Sequence, residues 1–545
     1  MVTKQEILAL VGKMTPAQKA GQLFLLAYPG KDPEIIKPLI DKYGICGCYI
    51  SQDNAETFKE AEYSAGKLQE MSKVAQNLPL LLGVDQEGAW GVLVPESHTG
   101  PGNLALGATA DPDVISRMYR AFGKEMLSVG YNALLGPCAD VNSNPRSPII
   151  GTRSFGEFPD RVAACVKAAV TGARATGALT TVKHFPGHGA TGADTHRLIP
   201  EVNKSLDDLM RSDLLPFRAG IEAGVHIVMT SHIKFPQIDS DHPATLSKKI
   251  LIDILRGKLG FSGVIISDSM NMGAIRKFYD PAESTLLALK AGVDVVMLSE
   301  EHYDYSADYL KKQLNSIEIV RQAIESGKLG EAEVNDKLCR ILDLKLNNMK
   351  LKEPALSSED RLEITDNENR AAHAAFVLLQ KGLWPLPKEG PFVCVNATPR
   401  SSYKNIVNVR GIGPNQVKPA FDTFKEAYSA LEKNINFIGY EEINGASSLL
   451  EKAKAIIVVT EDYPLPGEDF NKDEQQALVK KLCGEFREKL IIIGLRSSYE
   501  LSNYPETIGY LCAYSSRSCS ARAAADILAN RVPVTGTAPV TVRIS

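Results

Sequence analysis

What this chain lacks narrows the reading first. Its nine cysteines are scattered, mostly within apolar runs, and no CxxC pair occurs among them. Neither a disulfide framework nor a zinc knuckle is indicated, and buried reduced thiols are the expectation. No apolar run approaches the roughly 18 residues that a membrane span requires, so no span is expected. The N-terminal MVTKQEILALVGKMTPAQKAGQ has no secretory apolar core, and its apolar residues recur at helical spacing. A cytoplasmic location is therefore expected. No basic run concentrates the Lys and Arg, and the net charge is −4, which argues against nucleic acid as a partner.

What remains is an ordinary soluble composition, 44% hydrophobic and 23% charged. A chain of 545 residues is too long for one core, so at least two domains are expected. Eight apolar runs read as strands: 21–28, 44–51, 79–85, 131–141, 178–185, 226–233, 263–269 and 294–300. Between them lie helical stretches such as DPDVISRMYRAFGKEMLSVG and SLDDLMRSDLLPFRAGIEAG. Eightfold strand–helix alternation predicts a TIM-type (β/α)8 barrel over residues 1–350. The rival, a doubly wound open sheet, would usually carry a Gly-rich phosphate loop after its first strand, and Tyr28-Pro29-Gly30-Lys31 is not one. The polar LKEPALSSEDRLEITDNENR (351–370) reads as a linker. A helix with an extended exit, then runs at 392–396, 435–440, 455–463, 489–495 and 507–514, make residues 371–545 a second α/β domain with a parallel sheet.

Asp85, Asp140, Lys183, His184, His232 and Asp268 fall at or just past the ends of separate expected strands. In a barrel those ends converge on the face that carries the active site. The densest stretch is VKHFPGHGATGADTH, from Val182 to His196, where a strand opens into a loop holding three of the nine histidines. Asp194 and His196 are two apart, so in extended chain they point the same way, and the carboxylate could orient the ring for acid–base work. A hydrogen-bonded loop pair without catalytic work is the bland reading. His184 and His188 have HxxxH spacing, which on a helix suits zinc, but Pro186 and Gly187 intervene, so no metal is expected. Asp268 at the exit of GVIIS is either a helix cap or a functional carboxylate. Two strand-end carboxylates with an Asp–His pair suit glycoside hydrolysis, in which one group attacks the anomeric carbon and another protonates the leaving oxygen.

KHFPGHGATGADTH resembles the KH(F/I)PGHG-x4-D-(S/T)-H signature of the β-N-acetylglucosaminidases of glycoside hydrolase family 3. VDQEG (84–88), GPCADVN (136–142), GTRSFG (151–156), VMTSHI (228–233), SDSM (267–270) and AGVDVVM (291–297) follow in family order. The C-terminal AAADILANRVPVTGTAPVTV is similar to the end of the family's α/β sandwich domain. The resemblance implies Asp268 as nucleophile, His196 as acid and then base with Asp194 as its partner, and Asp85, Arg153, Lys183 and His184 as holders of the terminal sugar. His188 is expected to fix the loop. It implies a retaining exo-β-N-acetylglucosaminidase without a cofactor, acting on chitooligosaccharides or peptidoglycan fragments. Phosphorolysis of the same glycosides and β-glucosidase activity are the alternatives on this scaffold. A metal-dependent barrel hydrolase and a silent sugar-binding protein are more remote. One departure is plain: Ala89-Trp90 stand where the family commonly has Gly-Arg.

Overall fold

Strand formation here follows the short aliphatic runs, which suit strands covered on both faces. The computed structural model describes residues 1–88, 93–192, 199–299, 308–399, 418–461 and 472–542. The first ten strands are β1 (Phe24–Leu26), β2 (Gly47–Ile50), β3 (Leu81–Val84), β4 (Ala133–Leu134), β5 (Leu179–Phe185), β6 (Ile227–Thr230), β7 (Lys234–Phe235), β8 (Asp239–Pro243), β9 (Val264–Ile266) and β10 (Val296–Leu298). Eight of them form one parallel sheet in the order β10-β1-β2-β3-β4-β5-β6-β9. The two ends meet through a parallel bridge between Ile266 and Val295, which brings the sheet to a nearly closed barrel. Each expected barrel strand contains one of these eight. The pair β7 and β8 is an antiparallel hairpin between β6 and β9 that the apolar runs did not signal.

Helices wrap the barrel where the spacing predicts them. The helix Pro112–Val129 starts at Asp111, whose carboxylate accepts from the Asp113 N–H, and stops at Gly130 in the left-handed region. The stretch read as one helix from Ser205 is two, Leu206–Arg211 and Leu214–Glu222. Pro216 explains the break: inside a continuous helix its ring would collide with the carbonyl four residues back, at Ser212.

The second sheet adds β11 (Val377–Gln380), β12 (Phe392–Asn396), β13 (Ile435–Ile438), β14 (Ala455–Thr460), β15 (Leu490–Gly494) and β16 (Gly509–Cys512), in the order β11-β16-β15-β14-β12-β13. Five strands are parallel as expected, and β11, the extended exit after the helix, pairs antiparallel with β16. Helices cover both faces, Ala420–Leu431 and Ser518–Leu528 on one, Lys472–Phe486 on the other. The fold is thus a TIM-type barrel followed by an α/β sandwich domain.

Residues 351–357 carry no regular structure, whereas the rest of the expected linker belongs to the helix Ser358–Ala374. Its start is a capping box between Ser357 and Asp360, and Ile364, Ala371 and Ala372 are buried. Its polar composition hid it, since only a narrow stripe is apolar. This helix ties the halves together: His98 Nε2 lies 2.9 Å from Thr365 Oγ1, and the N–H groups of Thr99 and Gly100 donate to Glu368.

Candidate active site

At the carboxyl face of the barrel, a cavity of about 50 Å³ is lined by side chains from most of the strands. Tyr49 comes from β2, Asp85 from just past β3, Lys183 and His184 from β5, Met229 from β6, Asp268 from just past β9 and Met297 from β10. Arg153 reaches the same cavity from the short turn Gly151–Arg153 after β4. That turn is held by Asn103, which donates to the Arg153 carbonyl at 2.7 Å and accepts from Tyr119 at 2.8 Å. Period-two alternation sends successive residues of a strand to opposite faces. Between β5 and β6 the pairing register shifts after Val182, and Lys183 and His184 both line the cavity.

The polar groups form one connected network. Lys183 Nζ donates to Asp85 Oδ1 at 2.5 Å and lies 2.7 Å from Glu87 Oε1. Glu87, wholly buried, also takes two bonds from Arg153, Nε to Oε2 and Nη2 to Oε1, each 2.8 Å. Tyr49 donates to the other oxygen of Asp85 at 3.0 Å. Arg153 Nη2 stands 3.3 Å from His184 Nε2, and the opposite ring nitrogen of His184 bonds to Asp140 Oδ2 at 2.8 Å. Asp140 further accepts from the backbone N–H of His184 and of His188 and from the Cys138 thiol. Burial alone would push the Asp140 carboxyl up, yet its histidine neighbours, chiefly His184, bring it below its ordinary value.

Electrostatics keep the carboxylates ionised. Burial opposes the charge of Asp268, but His184, His232, the Ser269 N–H and Lys183 together hold its carboxyl below the usual range. Burial likewise opposes the charge of Glu87, and Arg153 and Lys183 reverse the effect. Both cations stay charged: desolvation is outweighed at Lys183 by Asp85 and Glu87, and at Arg153 chiefly by Glu87. An anionic oxygen at a strand end, sharing a cavity with Lys183 and Arg153, which can only donate, and with the acceptor Asp85, suits attack on an electrophilic carbon beside hydroxyl-bearing substrate.

Five of the seven expected site residues, Asp85, Arg153, Lys183, His184 and Asp268, line this one cavity. Asp194 and His196 lie outside the described residues. His188 is buried, its N–H on Asp140 and its ring Nδ1 2.8 Å from Thr191 Oγ1, and burial brings its imidazole down to about 4. Among the described residues, the one group of ligand-type atoms close enough to share an ion is Cys138, Asp140 and His184, not the His184–His188 pair. Those three already hydrogen-bond to one another through Asp140. Sequence reasoning passed over Glu87, Tyr49 and the methionines at the cavity. A second acid two residues after Asp85, in VDQEG, was the signal for Glu87.

Residues 15–344 match the family model described as the glycosyl hydrolase family 3 N-terminal domain. Beta-hexosaminidase A of Pseudoalteromonas piscicida is 32% identical over 331 residues, 57% of this chain and 55% of that protein. A beta-N-acetylglucosaminidase/beta-glucosidase of Cellulomonas fimi is 29% identical over 345 residues, 62% of this chain and 58% of its own length. The chain thus spans little over half the length of these curated relatives. The solved structure of a glycoside hydrolase family 3 beta-N-acetylglucosaminidase from a Paenibacillus species superposes with a TM-score of 0.85 at 28% identity, covering 98% of this chain and 100% of that one. The family match extends over more than half of the chain and takes in the whole described cavity, and the chain belongs to glycosyl hydrolase family 3.

Proposed function

We propose that this chain is a retaining exo-β-N-acetylglucosaminidase that releases terminal N-acetylglucosamine from chitooligosaccharides or peptidoglycan fragments. The observation that supports it best is an ionised Asp268 facing the same small cavity as Lys183, Arg153, His184 and Asp85. In this reading Asp268 Oδ forms a bond to the anomeric carbon as the glycosidic bond breaks. The leaving oxygen takes a proton from His196, whose imidazolium Asp194 stabilises. Water then gives a proton back to His196 and displaces Asp268, so the sugar leaves with its original anomeric configuration. Lys183 and Arg153 donate to sugar hydroxyls and Asp85 accepts from them.

Asp268→Ala is expected to lower kcat by about 10⁴-fold or more on every glycoside, measured with an aryl β-N-acetylglucosaminide. Proton NMR of the first product should show the β-anomer, and initial α-anomer would overturn the double displacement. The Cellulomonas fimi relative carries both activities in its name, so an aryl β-glucoside belongs in the same panel. Phosphate buffer separates free sugar from sugar 1-phosphate.

A further inference from the structure

We propose that Glu87 is a positioning residue of this reaction, holding Lys183 and Arg153 against the sugar without touching the sugar itself. The proposal rests on the glycosidase reading above. Glu87 has no exposed surface and does not line the cavity, whereas both of its cationic partners do. Both of its oxygens are engaged: Oε1 receives Lys183 at 2.7 Å and Arg153 Nη2 at 2.8 Å, and Oε2 receives Arg153 Nε at 2.8 Å. A bidentate carboxylate fixes the plane of a guanidinium, and a second short contact fixes the end of the flexible lysine stem.

The backbone under Glu87 is itself anchored on both sides. Gln86 donates to the His98 carbonyl at 2.9 Å and accepts from the Leu93 N–H at 2.7 Å. Gly88 sits at φ +72°, and a Cβ there would lie 2.2 Å from the Thr99 oxygen, so only glycine leaves this turn undisturbed. Two neighbouring cations repel one another, and the carboxylate between them is what lets them stand side by side at the cavity wall. Asp85 bonds to Lys183 and Tyr49, whereas Glu87 bonds to both cations at once. Glu87 therefore sets where the donors point, and hydroxyl discrimination depends on it.

The test uses the full chain as wild type, Glu87→Gln and Glu87→Asp. The substrates are an aryl β-N-acetylglucosaminide and its 3-, 4- and 6-deoxy analogues. Wild type should lose about 10–100-fold in kcat/KM at the hydroxyl or hydroxyls that Lys183 and Arg153 bind. Glu87→Gln should lower kcat/KM on the parent sugar by about 100-fold, and its deoxy penalty should shrink to within about threefold of parity. Glu87→Asp, which keeps the charge, should recover part of that penalty. A Gln variant that keeps the full deoxy penalty, or that matches wild type on the parent sugar, overturns the proposal. Circular dichroism and urea midpoints show whether each variant folds. If the Gln form does not, the Asp form carries the same comparison, and failure of both makes Glu87 a folding residue and ends the positioning role. Wild type that cleaves none of the sugars overturns the glycosidase reading, and this proposal with it. An active wild type beside an undiminished penalty in Glu87→Gln sinks only the role of Glu87.

Discussion

Asp140 shows how much one residue can organise. It lies beneath the cavity, fully buried, and binds the His184 ring, two backbone N–H groups of the β5 exit and the Cys138 thiol. Asp140→Ala leaves these donors unsatisfied and is expected to cost about 3–5 kcal/mol, read from urea midpoints. A loss below about 1 kcal/mol would mean that the loop re-forms without it. A second expectation concerns acid. Burial, with some help from Arg174, brings the His226 imidazole down from 6.5 to about 4. Between those values the unfolded chain binds a proton that the folded chain does not, so stability falls as pH drops through that window and levels off below it. His188 adds to the same slope. His226→Asn should make the slope of stability between pH 6.5 and 4 shallower. An unchanged slope would show that His226 protonates as freely in the folded chain as in the unfolded one.

Among the elements, the barrel strands were the most legible part of the sequence. VII in β9 is aliphatic throughout and IVMT in β6 is apolar up to Thr230, and both are buried at every position, so local pattern and tertiary burial agree. The hairpin of β7 and β8 was not legible, because DSDHP is polar and its place depends on pairing rather than burial. The helix Ser358–Ala374 was hidden for a similar reason: its charged faces outweigh four buried positions. Lys183, His184 and Asp268 could be placed because each ends an apolar run. Glu87 was passed over although it follows Asp85 by two residues in VDQEG, because its partners Arg153 and Lys183 are distant in sequence and only folding joins them. Two glycines make opposite predictions at this scale. Gly88→Ala meets the Thr99 oxygen at positive φ and should cost at least about 2 kcal/mol while raising KM, because Glu87 is displaced with it. Gly12, inside the helix Lys4–Lys13, has nothing within 4 Å of its would-be Cβ. Gly12→Ala should gain roughly 0.5 kcal/mol with unchanged kinetics. Urea midpoints and KM measured together check both.

In the whole molecule the domains are bound by more than the helix between them. The segment after the last helix crosses back to the barrel. Thr537 donates to the Ala108 carbonyl at 2.8 Å, Arg161 to that of Ala538 at 2.7 Å, and Glu157 to that of Pro539 at 3.0 Å. Asn142, just past the Asp140 cluster, donates to Tyr499 of the second domain at 3.0 Å. Ending the chain at Gly536 removes the first three of these ties. Calorimetry should then resolve separate melting of the two domains where the full chain melts in one transition. A single unchanged transition would show that the docking does not depend on this strap.

The barrel helix Asn103–Thr109 carries a final consequence. Its Leu104, Ala105 and Ala108 belong not to the barrel core but to the apolar cluster of the second domain. A ribosome makes this helix early and the strands that cover it late. At the usual elongation rates on the order of a minute passes before the covering residues exist. In the later part of that time a nearly finished barrel displays an apolar patch with no partner, which leaves the growing chain prone to aggregate until its second half is complete.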